Sequence, residues 1–415
     1  MSPQQTEGTR PDHLEAKYGL PREVKFCKRC VISNQRPSSV VEFKHTAQSK
    51  KPTMNIDSEG ICDACRHAEE KDRIDWSKRE EELVRLLDKH RRNDGRYDCI
   101  VPGSGGKDSA YQAHVLKYKY GMHPLTFTWT PILCTDYGYK NFKNWITVGG
   151  FDNISFNQNG RVQKILTRLS IENLFHPFQT FILGQKNFAP KLALQMDIPL
   201  IFYGENEAEY GNPVADNATS LRDKSFHSMK NVDEMYLAGV SVKELQEKHQ
   251  IDLCDLMAYL PPDFRTVEKS SMEVHYLGYY LKWTPQEVYY YAVEHTGFKA
   301  RPFRTQGTYS KYNSIDDKVD DFNFYTLFCK FGIGRATYDA SQEIRNKHIT
   351  REEGAALVKR FDGEFPDRYF KDVLEYIGMS EERFHELADQ ARSPHLWEKV
   401  NGEWKLRHAV WMEEP

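Results

Sequence analysis

No stretch of this 415-residue chain approaches the roughly 20 consecutive apolar residues that a bilayer crossing needs. The opening segment, MSPQQTEGTRPDHLEAKYGL, also lacks the apolar core of a secretion signal. Charge of one sign is missing too. The formal net charge is −3, so no basic field calls for nucleic acid as a partner. Internal repeats and low-complexity tracts are absent. Together these absences predict a cytoplasmic protein with reduced thiols and no membrane partner. Its eight cysteines then read as metal ligands and core fillers rather than disulfides. The length suggests about two or three domains. Aromatic content of 13% fits a thick core or a sugar- or nucleotide-facing site, and composition alone does not choose.

The most informative stretch is Tyr97–Ser109, YDCIVPGSGGKDS. Cys99–Pro102 reads as a buried strand, a Gly-rich turn follows, and from Asp108 the pattern is helical. Glycines let a phosphate approach the backbone, and the helix start presents unpaired amides with a favourable dipole. Asp108 after Gly106-Lys107 excludes a Walker loop, and the GxGxxG of a dinucleotide fold is lacking. The bland alternative is an ordinary tight βα turn. Ser104-Gly105-Gly106-Lys107-Asp108-Ser109 resembles the SGGxDS signature of the PP-loop ATP pyrophosphatases. That resemblance implies adenylation of a substrate oxygen with release of pyrophosphate, followed by displacement of AMP. Ser104, Gly105, Gly106 and Ser109 would hold phosphates, Lys107 would supply charge, and Asp108 would hold Mg2+ or the loop backbone.

Upstream, Cys27-Lys-Arg-Cys30 and Cys62-Asp-Ala-Cys65 offer two thiolates each from tight turns, the pattern of a closed four-thiolate zinc site. Such a site leaves no open position for water, so zinc is expected to serve folding or docking. The alternative is four unrelated buried cysteines. The expected organisation is a flexible arm over 1–22, a zinc module over 23–68, a linker helix over 69–95, a PP-loop domain over 96–300 and a mostly helical substrate or partner region over 301–415. Glu69–Arg92 reads as one helix with an apolar stripe through Ile74, Trp76, Leu83, Leu86 and Leu87. Further strands are predicted at Pro124–Pro131, Phe151–Phe156, Ile198–Tyr203 and Glu273–Tyr280, with Tyr137–Trp145 as a polar-aromatic connector and Arg161–Met196 helical. Strands separated by helices imply an α/β fold with a parallel sheet, whose ligands bind beyond the strands' carboxyl ends. Thr284 and Thr350 each open a capping-box pattern, and Asn401-Gly402 predicts a hairpin.

That topology gathers three stretches around one crevice: the Gly-rich turn, the end of the second strand, and Gly204 with the acids after it. Thr128 and Trp129 would contact adenine as in the PP-loop fold, or else be plain core strand. Glu205, Asn206, Glu207 and Glu209 follow a buried strand, where clustered acids repel unless a cation or a substrate nitrogen is present. They are expected to bind substrate or Mg2+ or to deprotonate an incoming amine, the alternative being an exposed acidic turn. Asp108, Lys107, Glu205 and Glu209 are the candidate catalytic residues. Between Arg301 and Arg335, the mixture that includes Tyr309, Ser310, Lys311, Tyr312, Lys330 and Arg335 suits a phosphate-bearing, sugar-like substrate, as does Asn206. A solvated loop is equally allowed by composition.

From Cys27 onward the chain resembles the N-acetyl sugar amidotransferases of bacterial surface-polysaccharide pathways. The resemblance rests on KFCKRCVIS with Arg36-Pro37 (residues 25–37), ICDAC (61–65), SGGKDS, YGENEAEYG (203–211), GTYSKYNSIDDK (307–318) and KFGIGRATYDASQEIR (330–345). It implies ATP-dependent conversion of an acetamido to an acetamidino group on a nucleotide-linked N-acetyl sugar, with ATP, Mg2+ and structural Zn2+. No GxCxG elbow is present, and position 2 is Ser rather than Cys, so no glutaminase site is evident. The family implies that partner subunits, similar to the glutaminase and cyclase of imidazole glycerol phosphate synthase, supply the ammonia. A competing reading is a PP-loop tRNA thiolase. Sulfur transfer, however, usually needs paired thiols after the loop, and Cys99, Cys134, Cys254 and Cys329 are single. A non-enzymatic scaffold for a glutaminase complex is the third reading.

Overall fold

The computed structural model describes residues 14–38, 43–205, 209 and 219–412. Five parallel strands form its central sheet: β1 (Cys99–Pro102), β2 (Pro124–Trp129), β3 (Asn153–Phe156), β4 (Leu200–Tyr203) and β5 (Glu273–Tyr276). The spatial order is β3-β2-β1-β4-β5. Cys99 pairs with Pro124 on one side and Leu200 on the other. The chain therefore winds outward one way through β2 and β3, then the other way through β4 and β5. The switch lies between β1 and β4, and in such sheets the crevice opens at the strands' carboxyl ends there.

Burial on both faces explains why β1 and β4 are apolar without alternation. Ile100, Ile201 and Tyr203 face one core, shared with Leu166, Leu183 and Leu192. Cys99, Val101, Leu200 and Phe202 face the other, with Leu83, Leu87, Ala110, Ala113 and Trp145. The first set of partners comes from α5 (Gly160–Leu174) and α6 (Gln179–Met196). The second comes from α2 (Trp76–His90), α3 (Lys107–His114) and α4 (Asp136–Thr147).

Three helical segments differ from expectation. Glu69–Arg92 is not one helix: α1 (Asp63–Lys71) ends before Asp75, whose carboxylate accepts from the Lys78 amide and starts α2. Tyr137–Trp145 is not a connector but lies inside α4, which is capped by Thr135 accepting from the Gly138 amide. Arg161–Met196 is interrupted where Phe175 turns left-handed (φ 47°) before His176-Pro177. A residue preceding proline disfavours helical backbone, so the break is local chemistry. β5 also stops at Tyr276 and passes directly into a helical turn over Leu277–Tyr280.

The predicted punctuation mostly holds. Thr350 and Glu353 form the reciprocal capping box of α10 (Arg351–Phe361). Thr284 makes no side-chain cap, yet Pro285 opens α7 (Pro285–Thr296) and left-handed Gly297 closes it. Asn401 and Gly402, both at positive φ, turn the hairpin Trp397–Val400/Glu403–Leu406. The zinc module does not stand apart. Cys27, Cys30, Ile32 and Ile61 share a core with Phe331, Ile333, Leu396 and Trp397 of the C-terminal third. Residues 14–22 dock there as well, the Lys17 amide donating to Ser393 Oγ at 2.9 Å and Tyr18 Oη to the Ala391 carbonyl at 2.9 Å. Among the described residues, no helix is long and apolar enough to cross a membrane.

Candidate functional site

The Gly-rich turn leaves β1 with the Gly103 amide bonded to the Phe127 carbonyl at 2.8 Å. Gly105 sits at φ +84°, and a Cβ there would meet Phe142 Cα at 2.7 Å and the Asn141 carbonyl at 2.9 Å. Only glycine fits that combination of left-handed backbone and close approach. At Gly103 a Cβ would collide with Ser109 Cβ at 2.1 Å. The turn is thus pressed onto α4 from below and onto its own helix from the side. α4 is anchored in turn, because Asn141 Nδ2 donates to the Lys299 carbonyl (3.0 Å) while its Oδ1 accepts from the Lys299 amide (2.8 Å). Gly106 caps α3 without a side chain, so the first amides of that helix remain available to an anion.

Two charged side chains flank those amides. Lys107 is nearly buried, and its ammonium reaches both Asp108 oxygens at 2.7 Å. Asp108 is far more open, with 37% of its side chain exposed. The Asp108 carboxylate is thus paired with an ammonium at the edge of those amides. Ser109 Oγ donates to the Gly106 carbonyl at 3.1 Å and stiffens the first turn.

Across the switch point, Gln112 Nε2 of α3 donates to the Phe202 carbonyl at 2.6 Å, which ties the turn to the end of β4. Gly204 follows, its carbonyl accepting from the Gly278 amide at 2.9 Å. Ser104, Gly106, Lys107, Asp108, Glu205, Gly138 and Asn141 all line one cavity of ≈ 900 Å³. Its other walls come from Tyr312–Asp316, from α8 (Val319–Phe331) and α9 (Arg335–Arg345), and from the zinc module.

The other expected site residues divide. Tyr312, Lys330 and Arg335 line this cavity. Tyr312 stacks on Tyr289 at 4.1 Å, and Arg335 Nε is held by Asp339 Oδ1 at 2.8 Å. Ser310 is buried and caps the local turn through the Tyr312 and Asn313 amides, Tyr309 packs by Phe361, and Lys311 is exposed. Thr128 and Trp129 are buried in β2. Trp129 stacks on Phe156 and covers Gly184, and neither residue is among those lining the cavity. Glu209 is held by Lys71 at 2.5 Å, with His67 at 4.0 Å, so its carboxylate faces α1 rather than the Gly-rich turn. Asn206 and Glu207 lie outside the described residues. Sequence reasoning missed Gly138 and Asn141 beneath the turn. It also missed Arg36, His45, Lys51 and His176 on the cavity wall. The one readable local signal near them is Thr135, the N-cap of the helix that carries Gly138 and Asn141.

The second centre is the cysteine cluster. Cys27, Cys30, Cys62 and Cys65 are buried, and their sulfurs all lie within 4.8 Å of one another. Cys27 Sγ is 3.8 Å from Cys65 Sγ, and Cys30 Sγ is 3.7 Å from Cys62 Sγ. A tetrahedron with zinc–sulfur bonds of about 2.3 Å has an edge of about 3.8 Å, so the donor set fits Zn2+. The same separations are far too long for disulfides. The Arg29 and Cys62 amides point at Cys27 Sγ (3.4 and 3.3 Å), as donors to a thiolate do. Arg351 Nε braces the first turn through the Cys27 and Cys30 carbonyls, both at 3.3 Å.

Comparison with curated proteins gives no match. Residues 306–410 match the family described as LPS biosynthesis protein WbpG-like, C-terminal domain. The matched segment supplies Tyr312, Lys330 and Arg335 to the cavity that the Gly-rich turn opens into. The chain thus carries a segment similar to a WbpG-like C-terminal domain, which fits a role in surface-polysaccharide biosynthesis.

Proposed function

We propose that the protein is an ATP-dependent amidotransferase that converts the acetamido group of a nucleotide-linked N-acetyl sugar to an acetamidino group in O-antigen or related surface-polysaccharide biosynthesis. The observation that carries this reading is the opening of the Gly105 turn, at the sheet's switch point, into a cavity walled by the WbpG-like segment. On this reading, the phosphates and the sugar would occupy one cavity of ≈ 900 Å³.

The chemistry accounts for the pairing. An amide oxygen leaves poorly as hydroxide. Attack of that oxygen on the α-phosphorus of ATP forms a new P–O bond and expels pyrophosphate. Ammonia then adds to the same carbon, the C–O bond breaks, and AMP departs with the original amide oxygen. The amidine forms as amidinium, and one further proton is released to a base or to pyrophosphate, which balances atoms and charge. The α3 amides, Ser104 and Lys107 would take the phosphates. Mg2+ at Asp108 would offset charge on the pyrophosphate as it leaves. Glu205, on the same wall, would receive a proton from the nitrogen once ammonia has added. Water would have to be kept from the adenylate while ammonia adds. Ammonia would come from partner subunits similar to a glutaminase and cyclase pair.

The test supplies ATP, Mg2+, ammonium and candidate nucleotide-linked N-acetyl sugars to the full-length protein. Pyrophosphate together with a sugar product one mass unit lighter is expected. Pyrophosphate release with tRNA and a sulfur donor, and with no sugar, would instead favour the thiolase reading. Asp108→Asn is expected to cut turnover by at least about 100-fold with zinc content unchanged. Unchanged turnover would indicate a scaffold.

A further inference from the structure

The helix that leaves the zinc knuckle ends on a buried lysine. Cys62 is the N-cap of α1, Cys65 lies in its first turn, and Lys71 is its last residue. Lys71 is only 5% exposed. Its ammonium donates to the Glu209 carboxylate at 2.5 Å and to the Trp283 carbonyl at 2.6 Å, which is the pairing that a buried charge needs. Glu209 is 13% exposed, and His67 Nε2, one turn back on α1, lies 4.0 Å from its carboxylate. The Glu209 carbonyl accepts from Arg345 of α9 at 3.0 Å. Trp283 carries the contact onward. Its buried ring stands edge-on to Tyr111 at 5.2 Å and closes over Gly204, where a Cβ would meet it at 3.2 Å. Tyr111 lies on α3, one turn after Lys107, and its neighbour Gln112 holds the Phe202 carbonyl. None of Lys71, Glu209, Trp283 and Tyr111 is among the residues that line the cavity.

A continuous run of packing and hydrogen bonds therefore links two of the four cysteines to the helix that the Gly-rich turn starts, and coupling between sites can travel through such a run. We infer that Lys71 is a positioning residue through which the zinc centre and the nucleotide site are coupled. A nucleotide seated on the α3 amides fixes that helix, and through Tyr111 and Trp283 it fixes the end of α1. Zinc then meets Cys62 and Cys65 already placed, so less ordering is left to its binding. By linkage, bound zinc raises nucleotide affinity by the same factor. A buried ion pair often adds little net stability over apolar packing, which suits a residue whose task is to set the register of the elements it joins. The coupling rests on the Gly-rich turn holding a nucleotide, as in the proposed amidation, and not on which sugar is amidated.

Zinc affinity of the full-length protein tests the coupling, measured by competition with a chelator in the presence and absence of Mg2+ and a non-hydrolysable ATP analogue. In the wild type the analogue is expected to tighten zinc by at least about five-fold, the lower end of ordinary coupling between sites. Lys71→Met leaves the Glu209 carboxylate buried without its ammonium, so it is paired with Lys71→Met/Glu209→Gln, which removes both charges and guards against misfolding. In both variants the analogue should no longer change zinc affinity. Analogue affinity of the zinc-loaded variants, read by calorimetry, should fall by no more than the wild-type coupling factor. A lysine that only supports the fold would weaken zinc equally with and without the analogue. That result, a wild type whose zinc affinity ignores the analogue, a larger fall in analogue affinity, or no analogue binding at all would overturn the coupling. Pyrophosphate release is read separately. Coupling without pyrophosphate release refutes the amidation and leaves the coupling standing, while sugar-dependent turnover with zinc affinity indifferent to the analogue does the reverse.

Discussion

Gly105 concentrates the strain of the candidate site in one residue. Its positive φ costs any L side chain about 1–3 kcal/mol, and the 2.7 Å approach to Phe142 Cα adds a clash with backbone. Gly105→Ala should lower Tm by several degrees and weaken ATP-analogue binding more than it weakens zinc binding. A thermal scan with nucleotide titration checks both, and unchanged nucleotide affinity would mean that the turn does not hold phosphate. Lys330 makes a second residue-level prediction. Its folded value of about 7 lies below the ordinary 10.5, so between those values the unfolded chain binds the extra proton. Stability from this group is complete above 10.5 and is lost as pH falls through 7. Urea unfolding should therefore show wild type gaining on Lys330→Met as pH rises from 7 towards 10, and the opposite slope would contradict the burial of that ammonium. At this scale the sequence was legible where side-chain chemistry repeats a known pattern, as in Ser104–Ser109 and the paired cysteines. It was not legible for Glu209, whose orientation is decided by Lys71, 138 positions away.

Elements were readable where their signals are local. The capping box at Thr350, the hairpin at Asn401-Gly402 and the apolar runs of β1 and β4 all rest on neighbours in sequence. α4 was missed because its buried stripe is Gly138, Asn141 and Trp145, in which only one residue is apolar by type. Gly138 is buried for closeness, since a Cβ there would meet Asp316 Cα at 2.5 Å, and Asn141 for its two bonds to Lys299. The break between α5 and α6 was written at Pro177, but the long helical pattern on either side masked it. The zinc knuckle supplies the prediction at this scale. Zinc binding to four buried thiolates is folding free energy, so Cys62→Ser should abolish zinc in metal analysis and lower Tm by about 10 °C or more. Full stability of a zinc-free protein would show that the cluster is only a packed core.

On the scale of the whole molecule, the chain closes on itself. The zinc module, read from sequence as the first domain, shares its core with the last third, and both wall the cavity that the parallel sheet opens. Periodicity and caps report on a few turns at most, so no local pattern could show that Lys51 and Lys330 line one cavity. The central claim is that the carbonyl oxygen of an acetamido group is activated by transfer to AMP. The most direct measurement places an isotopic oxygen label in that carbonyl and follows it through turnover with ATP and ammonium. The account predicts that the label leaves the sugar and appears in AMP, with pyrophosphate as the other product. Label retained in the sugar, or ADP and phosphate formed in place of AMP and pyrophosphate, would contradict it.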